Sequence, residues 1–179
     1  MSTESDAELL ETFPNWLRGL GDDAVAMADA LDAGLSDGAR RALASGLNYV
    51  FKSVDLIPDG IDDIGYLDDA FVLRVACAQV SAAGEGTVPA RVSELAGEAA
   101  RVREFLGDDY ARLDAYVQNL RRTGARGRSA DDILANAAVR ADFVADVKGF
   151  ARAYTTPGFS REPKNLIKLR AFFDAKLPR

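Results

Sequence analysis

The stretch YVFKSVDLIPDGIDDIGYLDD, residues 49–69, holds six aspartates within the fifteen positions from 55 to 69. Leucine, isoleucine, proline and glycine separate these acids, so helix-breaking residues are combined with a high negative charge. Aspartate caps helix N-termini, and its carboxylate is also a ligand for hard cations. The stretch therefore either marks the boundaries between helices or binds a cation.

The proline and glycine of this stretch favour the first interpretation, in which the aspartates are structural. Pro58 suits the first turn of a short helix, where its missing N–H is not needed. Gly65 can adopt the left-handed conformation that ends such a helix, and Asp68 can cap the next one. Repulsion between neighbouring carboxylates costs about 0.2–0.5 kcal/mol per pair, whereas a carboxylate near a helix N-terminus contributes about 0.3–1 kcal/mol. These contributions nearly cancel, so no cation is needed to explain the aspartates.

The second interpretation is a site for a hard cation. On the predicted short helix, Asp59, Asp62 and Asp63 would share one face, and their oxygen ligands suit magnesium, manganese or calcium. The spacing differs from a calcium-binding EF-hand loop, because a loop beginning at Asp59 would place Ile64 where that loop needs glycine. We therefore expect no cofactor and keep Mg²⁺, Mn²⁺ or Ca²⁺ as the alternative. The candidate metal ligands are Asp55, Asp59, Asp62, Asp63, Asp68 and Asp69.

Helical periodicity on both sides of the acidic stretch predicts an all-α fold, a compact bundle of several helices. Residues 67–83 are apolar on nearly every side, which is typical of a helix in the centre of a domain. Three helices are expected before the stretch. Pro14 ends or kinks the first, the second starts at Asp22 or Asp23, and Ser36 begins the third. The apolar face of that third helix comprises Leu43, Leu47, Val50, Phe51 and Val54.

The C-terminal part of the chain predicts a helical hairpin and two further helices. Apolar residues over 88–106 alternate spacings of four and three, and Gly107 should end that helix. A second helix, closed by Gly124, completes the antiparallel hairpin. A longer helix is then expected over 129–154, and Ser160 is expected to cap the last one.

Glycines near residue 84 suggest a boundary between two regions. Residues 1–84 carry the acidic motif, and residues 85–179 form a C-terminal helical region that we expect to pack on the first. The two ends of the chain differ in charge, because residues 1–69 hold 15 acids and 4 bases whereas residues 161–179 hold 2 acids and 6 bases. We expect these ends to attract each other within the fold or between chains.

Composition narrows the classes of function. The chain has no histidine, which removes the commonest general base and transition-metal ligand. Its single cysteine allows no disulfide within the chain, and its acidic, polar N-terminus is unlike a signal peptide. No uncharged apolar run approaches the ~20 residues that span a bilayer. The sequence therefore predicts a cytoplasmic protein without a membrane span, and it assigns no catalytic residue.

A cluster of arginines after the hairpin is an alternative binding site. Arg121, Arg122, Arg126 and Arg128 have no acidic residue between them, as in surfaces that bind phosphate or nucleic acid. The cluster lacks the aromatic residues on which single-stranded nucleic acid stacks. A simpler explanation is that Arg121 and Arg122 complement a helix C-terminus while the others lie in a loop. We therefore expect a protein partner or self-association rather than nucleic acid.

Tyr49, the run Asp55–Asp59 and the run Gly65–Asp69 resemble the core of the YkvA-like family, a bacterial domain of unknown function numbered 1232. The family pattern is Tyr-x-x-x-Pro-x-Asp-Leu-Ile-Pro-Asp, five residues, then Gly-Tyr-Leu-Asp-Asp, and Ser53 stands in place of its first proline. The resemblance covers about residues 40–80 and implies a helical fold, but no established activity. The matching motif residues are Tyr49, Asp55, Pro58, Asp59, Gly65, Asp68 and Asp69.

The function predicted from these features is a non-enzymatic helical interaction or scaffold protein of unknown biological role. The first alternative is a divalent-metal-binding protein or metal-dependent hydrolase that uses the cluster Asp55–Asp69. The second is an anion or nucleic-acid binder that uses the patch Arg121–Arg128. Because Asp62 and Asp63 stand outside the family pattern, a metal site common to the family would use Asp55, Asp59, Asp68 and Asp69.

Overall fold

The computed structural model describes residues 3–84 and 86–179 and confirms the all-α prediction. No strand forms in these two ranges, where Ala125 and Arg128 make only an isolated bridge. None of the helices described there combines the length and the apolar character needed to cross a membrane. The helices are α1 (Thr3–Ala30), α2 (Asp37–Asn48), α3 (Leu67–Ala82), α4 (Ala90–Leu106), α5 (Asp109–Asn119), α6 (Ala130–Ala135), α7 (Ala137–Ala153) and α8 (Pro163–Lys176), with short 3-10 turns at Tyr49–Phe51 and Leu120–Arg122.

One continuous helix, α1, replaces the two that the sequence predicts before residue 34. Pro14 lies inside α1 without ending it, and Asp22 and Asp23 also lie within it rather than at a helix start. The prediction was wrong because burial of one long apolar face outweighs the ~3 kcal/mol cost of an interior proline. Asp23 does not cap a helix but is buried, with its carboxylate 3.3 Å from Arg74. The buried face of α1 comprises Leu9, Phe13, Leu17, Leu20, Ala24 and Met27.

α3 is the centre of the molecule, as its apolar sequence predicts. Every residue over 67–77 is buried. α2 lies so close to α3 that a Cβ added to Gly46 would be 2.3 Å from the Cβ of Ala76. Burial raises the pKa of Cys77 in α3 to about 12, which leaves its thiol unreactive. Val54 does not join the buried face of the helix that precedes α3, because that helix ends before it and its side chain is 79% exposed.

α4 and α5 form the predicted hairpin, and α4 packs along α3. Gly107 has a φ of 57° and ends α4 as expected. One hydrophobic core includes residues from both sides of the boundary near residue 84. Arg74 of α3, which is fully buried, donates to Glu98 of α4 at 2.7 Å and to Asp23 of α1 at 3.3 Å. This ion network connects three helices. The buried seam of α4 comprises Val92, Leu95, Ala99, Val102 and Leu106.

Two predicted boundaries in the C-terminal region were wrong. The helix expected over 129–154 is divided into α6 and α7, because Asn136 is extended and its side chain accepts hydrogen bonds from two N–H groups in the first turn of α7. The last helix starts at Pro163 rather than directly after Ser160. Ser160 does not cap it, because its carbonyl and hydroxyl oxygens both accept hydrogen bonds from Asn165 Nδ2 at 2.8 Å.

The basic C-terminal end of the chain lies against α1, as the charge distribution predicts. Arg170 of α8 is 3.4 Å from Asp6, and Arg161 is 2.8 Å from Glu11. These ion pairs are partly or fully exposed, so each contributes no more than about 1 kcal/mol. The attraction between the two ends therefore acts within one chain.

Candidate functional site

The acidic stretch folds as a series of turns over residues 52–66, which we call the acidic loop, and not as the predicted short helix. The backbone N–H of Ile61 donates to the carbonyl of Pro58 at 3.1 Å, and that of Gly65 donates to the carbonyl of Ile61 at 2.9 Å. Glycine is required at position 65, because a Cβ there would lie 2.1 Å from the carbonyl oxygen of Asp59. The prediction was wrong because Leu56, Ile57 and Ile64 are buried by turns that bring the backbone at Gly65 against that of Asp59, which a regular helix does not do.

Tyr66, not Gly65, adopts the left-handed conformation at the start of α3, with a φ of 65°. A bulky residue is strained there, and surrounding contacts must hold it in place. Burial and the nearby Asp59 carboxylate raise the pKa of its phenol, and its ring packs edge-on against Tyr154 with centroids 5.2 Å apart. Asp68 consequently lies in the first turn of α3 rather than at its cap. Sequence analysis does not select Tyr66 as a site residue, although it belongs to the family motif.

A buried hydrogen-bond network joins the acidic loop to the adjacent helices. The hydroxyl of Tyr49 donates to Asp68 Oδ2 at 2.6 Å and accepts from the N–H of Leu56 at 2.7 Å. The N–H of Ile57 donates to the same Asp68 oxygen at 3.0 Å. Burial and the neighbouring Asp68 carboxylate raise the pKa of Tyr49, so its phenol stays a neutral donor. The network fixes the start of the acidic loop against α3.

Three carboxylate oxygens beside this network are buried and have no hydrogen-bond partner within the described part of the chain. They are Oδ1 of Asp55, Oδ1 of Asp68 and Oδ2 of Asp69. Asp68 is fully buried, and Asp69 is 3% exposed. A buried acceptor without a partner costs about 1–3 kcal/mol, and more when it is charged. Each of these oxygens is an acceptor that a proton or a cation would satisfy.

These carboxylates raise one another's pKa values. Burial raises the pKa of Asp55 to about 7 and that of Asp68 to about 6, although hydrogen bonds from Tyr49 and Ile57 oppose the rise at Asp68. Burial, followed by repulsion from the neighbouring carboxylates, raises the pKa of Asp69 well above its ordinary value. No basic side chain is among the principal groups that act on Asp68 or Asp69. The mutually repelling carboxylates, which we call the acidic cluster, are Asp55, Asp59, Asp68 and Asp69.

Asp62 and Asp63 lie apart from the acidic cluster, although the sequence places them among the candidate ligands. Asp62 is exposed, and Asp63 has a φ of 68°. The Oδ1 atom of Asp63 accepts a hydrogen bond from the N–H of Ser160 at 2.7 Å, which lowers the pKa of that carboxyl. The structure therefore brings together the four aspartates of the family pattern and directs Asp63 to the segment before α8.

An open cleft of about 630 Å³ lies between residues 59–63 of the acidic loop and residues 157–160. Asp59 lines this cleft and also acts electrostatically on Asp68 and Asp69. Burial raises the pKa of Asp59, although its interaction with the Tyr66 hydroxyl opposes that rise. Asp59 is therefore a member of the acidic cluster that faces solvent through this cleft.

The side chains of the acidic cluster differ in how firmly they are held. In residues 3–84 and 86–179, no group of three or more acidic or cysteine side chains is already arranged around a common metal position. Asp68 and Asp69 are fixed on α3, whereas Asp55 and Asp59 lie in the acidic loop, where Asp55 is partly buried and Asp59 is exposed. Rotation of Asp55 and Asp59 toward α3 would be needed to enclose an ion.

The arginine patch divides into two parts. Arg126 and Arg128 lie over the ring of Phe51, at 4.5 and 5.5 Å from its centroid, and both form ion pairs with Asp146. Arg121 and Arg122 lie at the end of the 3-10 turn after α5 and are exposed. Arg126 and Arg128, two of the four candidate anion-binding residues, therefore already contact Phe51 and Asp146.

Comparison with known proteins finds a match only for the central part of this chain. No curated protein and no solved structure matches it. The segment that matches a family model runs from α2 to the middle of α3, about one fifth of the chain, and includes Tyr49 and the whole acidic cluster. Residues 39–74 match the family described as "Protein of unknown function (DUF1232)", which confirms the resemblance to the YkvA-like family for this segment.

Proposed function

We propose that this protein binds a divalent cation through the acidic cluster. The observation that carries the proposal is the set of three buried carboxylate oxygens, one each from Asp55, Asp68 and Asp69, that lack hydrogen-bond partners in the described residues. Oxygen ligands alone suit Mg²⁺, Mn²⁺ or Ca²⁺. The chain has no histidine to act as a general base, so we propose binding rather than catalysis.

The energetics of the acidic cluster favour an added positive charge. Burying an ionised carboxylate is costly unless it is paired and hydrogen-bonded, and carboxylates that share a site repel each other. The N-terminus of α3 stabilises a nearby carboxylate by only about 0.3–1 kcal/mol, which does not offset this cost for both Asp68 and Asp69. Two agents can supply the missing charge, a proton at low pH or a cation at neutral pH.

Cation binding would bring the acidic loop onto α3. Asp68 and Asp69 would act as fixed ligands, and Asp55 and Asp59 would rotate toward them through the space beside the cleft. Val54, which is exposed, directly precedes Asp55. Movement of Asp55 would therefore change the surface around Val54. The interaction or scaffold role stays a prediction, and this cation-dependent surface is where we would seek a partner.

A thermal melt tests the proposal directly. EDTA-treated protein at pH 7.5 is melted with Mg²⁺, Mn²⁺ or Ca²⁺ chloride and, as a control, with sodium chloride of equal ionic strength. At a cation concentration of 100 times Kd, binding adds about 2.7 kcal/mol of stability, which raises Tm by roughly 5–11 °C for a chain of this size. The Asp62→Asn variant should retain the full shift, because Asp62 lies outside the acidic cluster. Equal Tm values with sodium and with all three divalent cations would reject the proposal.

A further inference from the structure

A second cavity lies where α2, the 3-10 turn after α5 and the start of α6 meet. It has a volume of about 450 Å³ and is lined by Arg41, Arg121, Arg122, Ser129 and Asp131. Three of these five residues are arginines, contributed by α2 and by the 3-10 turn after α5. A concave site lined by several arginines favours an anion, since guanidinium groups bind phosphate oxygens in pairs.

Arg121 and Arg122 differ from most arginines of this acidic chain. No ion pair or hydrogen bond of either side chain occurs in the described ranges, whereas buried Arg74 and half-exposed Arg91 each contact two or more carboxylates. The C-terminal end of α5 stabilises a nearby cation by about 0.3–1 kcal/mol, which explains one arginine at this position. It does not explain why Arg41, from another helix, faces the same cavity.

A smaller pocket adjoins this cavity and shares Arg41 and Arg121 with it. Its volume is about 90 Å³, and Ala42, Val117 and Gln79 are among the residues that line it. The walls are therefore partly apolar and partly polar, which suits a small organic group attached to the anion. None of the residues that line the two cavities is aromatic, and stacking of nucleic-acid bases needs aromatic side chains.

We infer that Arg41, Arg121 and Arg122 form a binding site for the phosphate group of a small organic phosphate. This site is separate from the acidic cluster and does not depend on the proposed cation binding. Asp131 limits its affinity in the free protein, because the carboxylate lies in the cavity and pairs with Arg41 Nε at 2.8 Å. A bound phosphate competes with Asp131 for Arg41. Binding therefore breaks the ion pair between Arg41 and Asp131 and forms one between Arg41 and the phosphate.

The test is calorimetric titration with pyrophosphate at low ionic strength, in EDTA so that the cation site takes no part. Arg121→Ser and Arg122→Ser should each weaken binding about tenfold or more, because a hydrogen bond to a charged group is lost. Asp131→Asn should tighten binding by up to about fivefold, since Arg41 is released and a like charge is removed. Arg152→Ser, which removes an exposed arginine of α7, serves as the control and should leave the affinity unchanged.

The contrast between Arg121→Ser and Arg152→Ser, which remove the same charge from different places, separates a defined site from general charge attraction. Three results would overturn the inference. They are no heat of binding at 5 mM pyrophosphate, an equal loss in Arg152→Ser and Arg121→Ser, and weaker binding by Asp131→Asn than by the unmodified protein. Tighter binding of a single-stranded oligonucleotide than of pyrophosphate, abolished by Arg121→Ser, would also overturn it in favour of a nucleic-acid surface.

Discussion

The phenol of Tyr49 lies 2.6 Å from Oδ2 of Asp68, a hydrogen bond between residues nineteen positions apart in the sequence. The first follows the end of α2, and the second lies in the first turn of α3. The same phenol accepts the N–H of Leu56, so one side chain connects both helices with the loop between them. In this chain, the tyrosine of the matched segment therefore holds the start of the acidic loop against α3.

Replacement of this phenol should destabilise the protein. Tyr49→Phe leaves the buried N–H of Leu56 without an acceptor and removes a donor from Asp68, so we expect a loss of about 1–3 kcal/mol in the free energy of unfolding. Urea denaturation at pH 7 measures it. Tyr116→Phe is the matched control, because that ring packs edge-on against Tyr49 and its hydroxyl has no hydrogen bond in the described ranges. Similar losses in the two variants would contradict the assigned role.

Stability without cations should fall as pH rises from about 4 to about 7. The pKa values of Asp55 (about 7) and Asp68 (about 6) exceed the ordinary value near 4, so the folded state binds more protons than the unfolded state in this window. The lowered pKa of Asp63 acts in the opposite direction, but only below about pH 4. Urea denaturation in EDTA from pH 4 to 8 measures the slope. Asp68→Asn should flatten it, and an unchanged slope in that variant would contradict the assignment.

Asp69→Asn should stabilise the cation-free protein and abolish its response to cations. The substitution removes a buried negative charge that the other carboxylates of the acidic cluster repel. We expect a gain of about 1 kcal/mol, or roughly 2–4 °C in Tm, at pH 8 in EDTA. Thermal melts with and without Mn²⁺ then show no shift. A lower Tm in EDTA, or a full shift with Mn²⁺, would contradict this prediction.

Gly65→Ala should disrupt the acidic loop, whereas Gly60→Ala should not. A Cβ at position 65 would lie 2.1 Å from the carbonyl oxygen of Asp59, so the backbone must move and we expect a loss of about 1–3 kcal/mol. Position 60 has no atom within 4 Å of an added Cβ. There the substitution should be neutral or add up to about 1 kcal/mol. Urea denaturation of both variants measures the difference, and equal stabilities would show that the loop does not need this close approach.

Helix periodicity and the end of α4 at Gly107 were among the parts of the fold that could be predicted. Residues 67–82 are apolar on nearly every side and form a largely buried helix. The apolar face of α4 is also buried as expected. Gly107 ends its helix at a positive φ. These features depend on neighbours within one or two helical turns, so local sequence is sufficient to reveal them.

The candidate site could be predicted only in part. The family pattern selected Asp55, Asp59, Asp68 and Asp69, and these are the carboxylates that the fold couples. The burial of Asp68 and Asp69 could not be predicted, because it depends on Tyr49, on the approach of Gly65 to the backbone of Asp59 and on the packing of α2, α4 and α5 around α3.

The amino-acid sequence by itself determined the helical class, the end of α4 at Gly107, and the motif in which the four aspartates of the acidic cluster occur. Only the tertiary structure decided that α1 continues through Pro14, that the acidic stretch is a loop, and which charges are buried or paired. The physical reason is the separation along the chain over which each effect is determined. Hydrophobic periodicity and backbone conformation depend on near neighbours in the sequence. Desolvation and ion pairing depend on atoms that distant segments bring together.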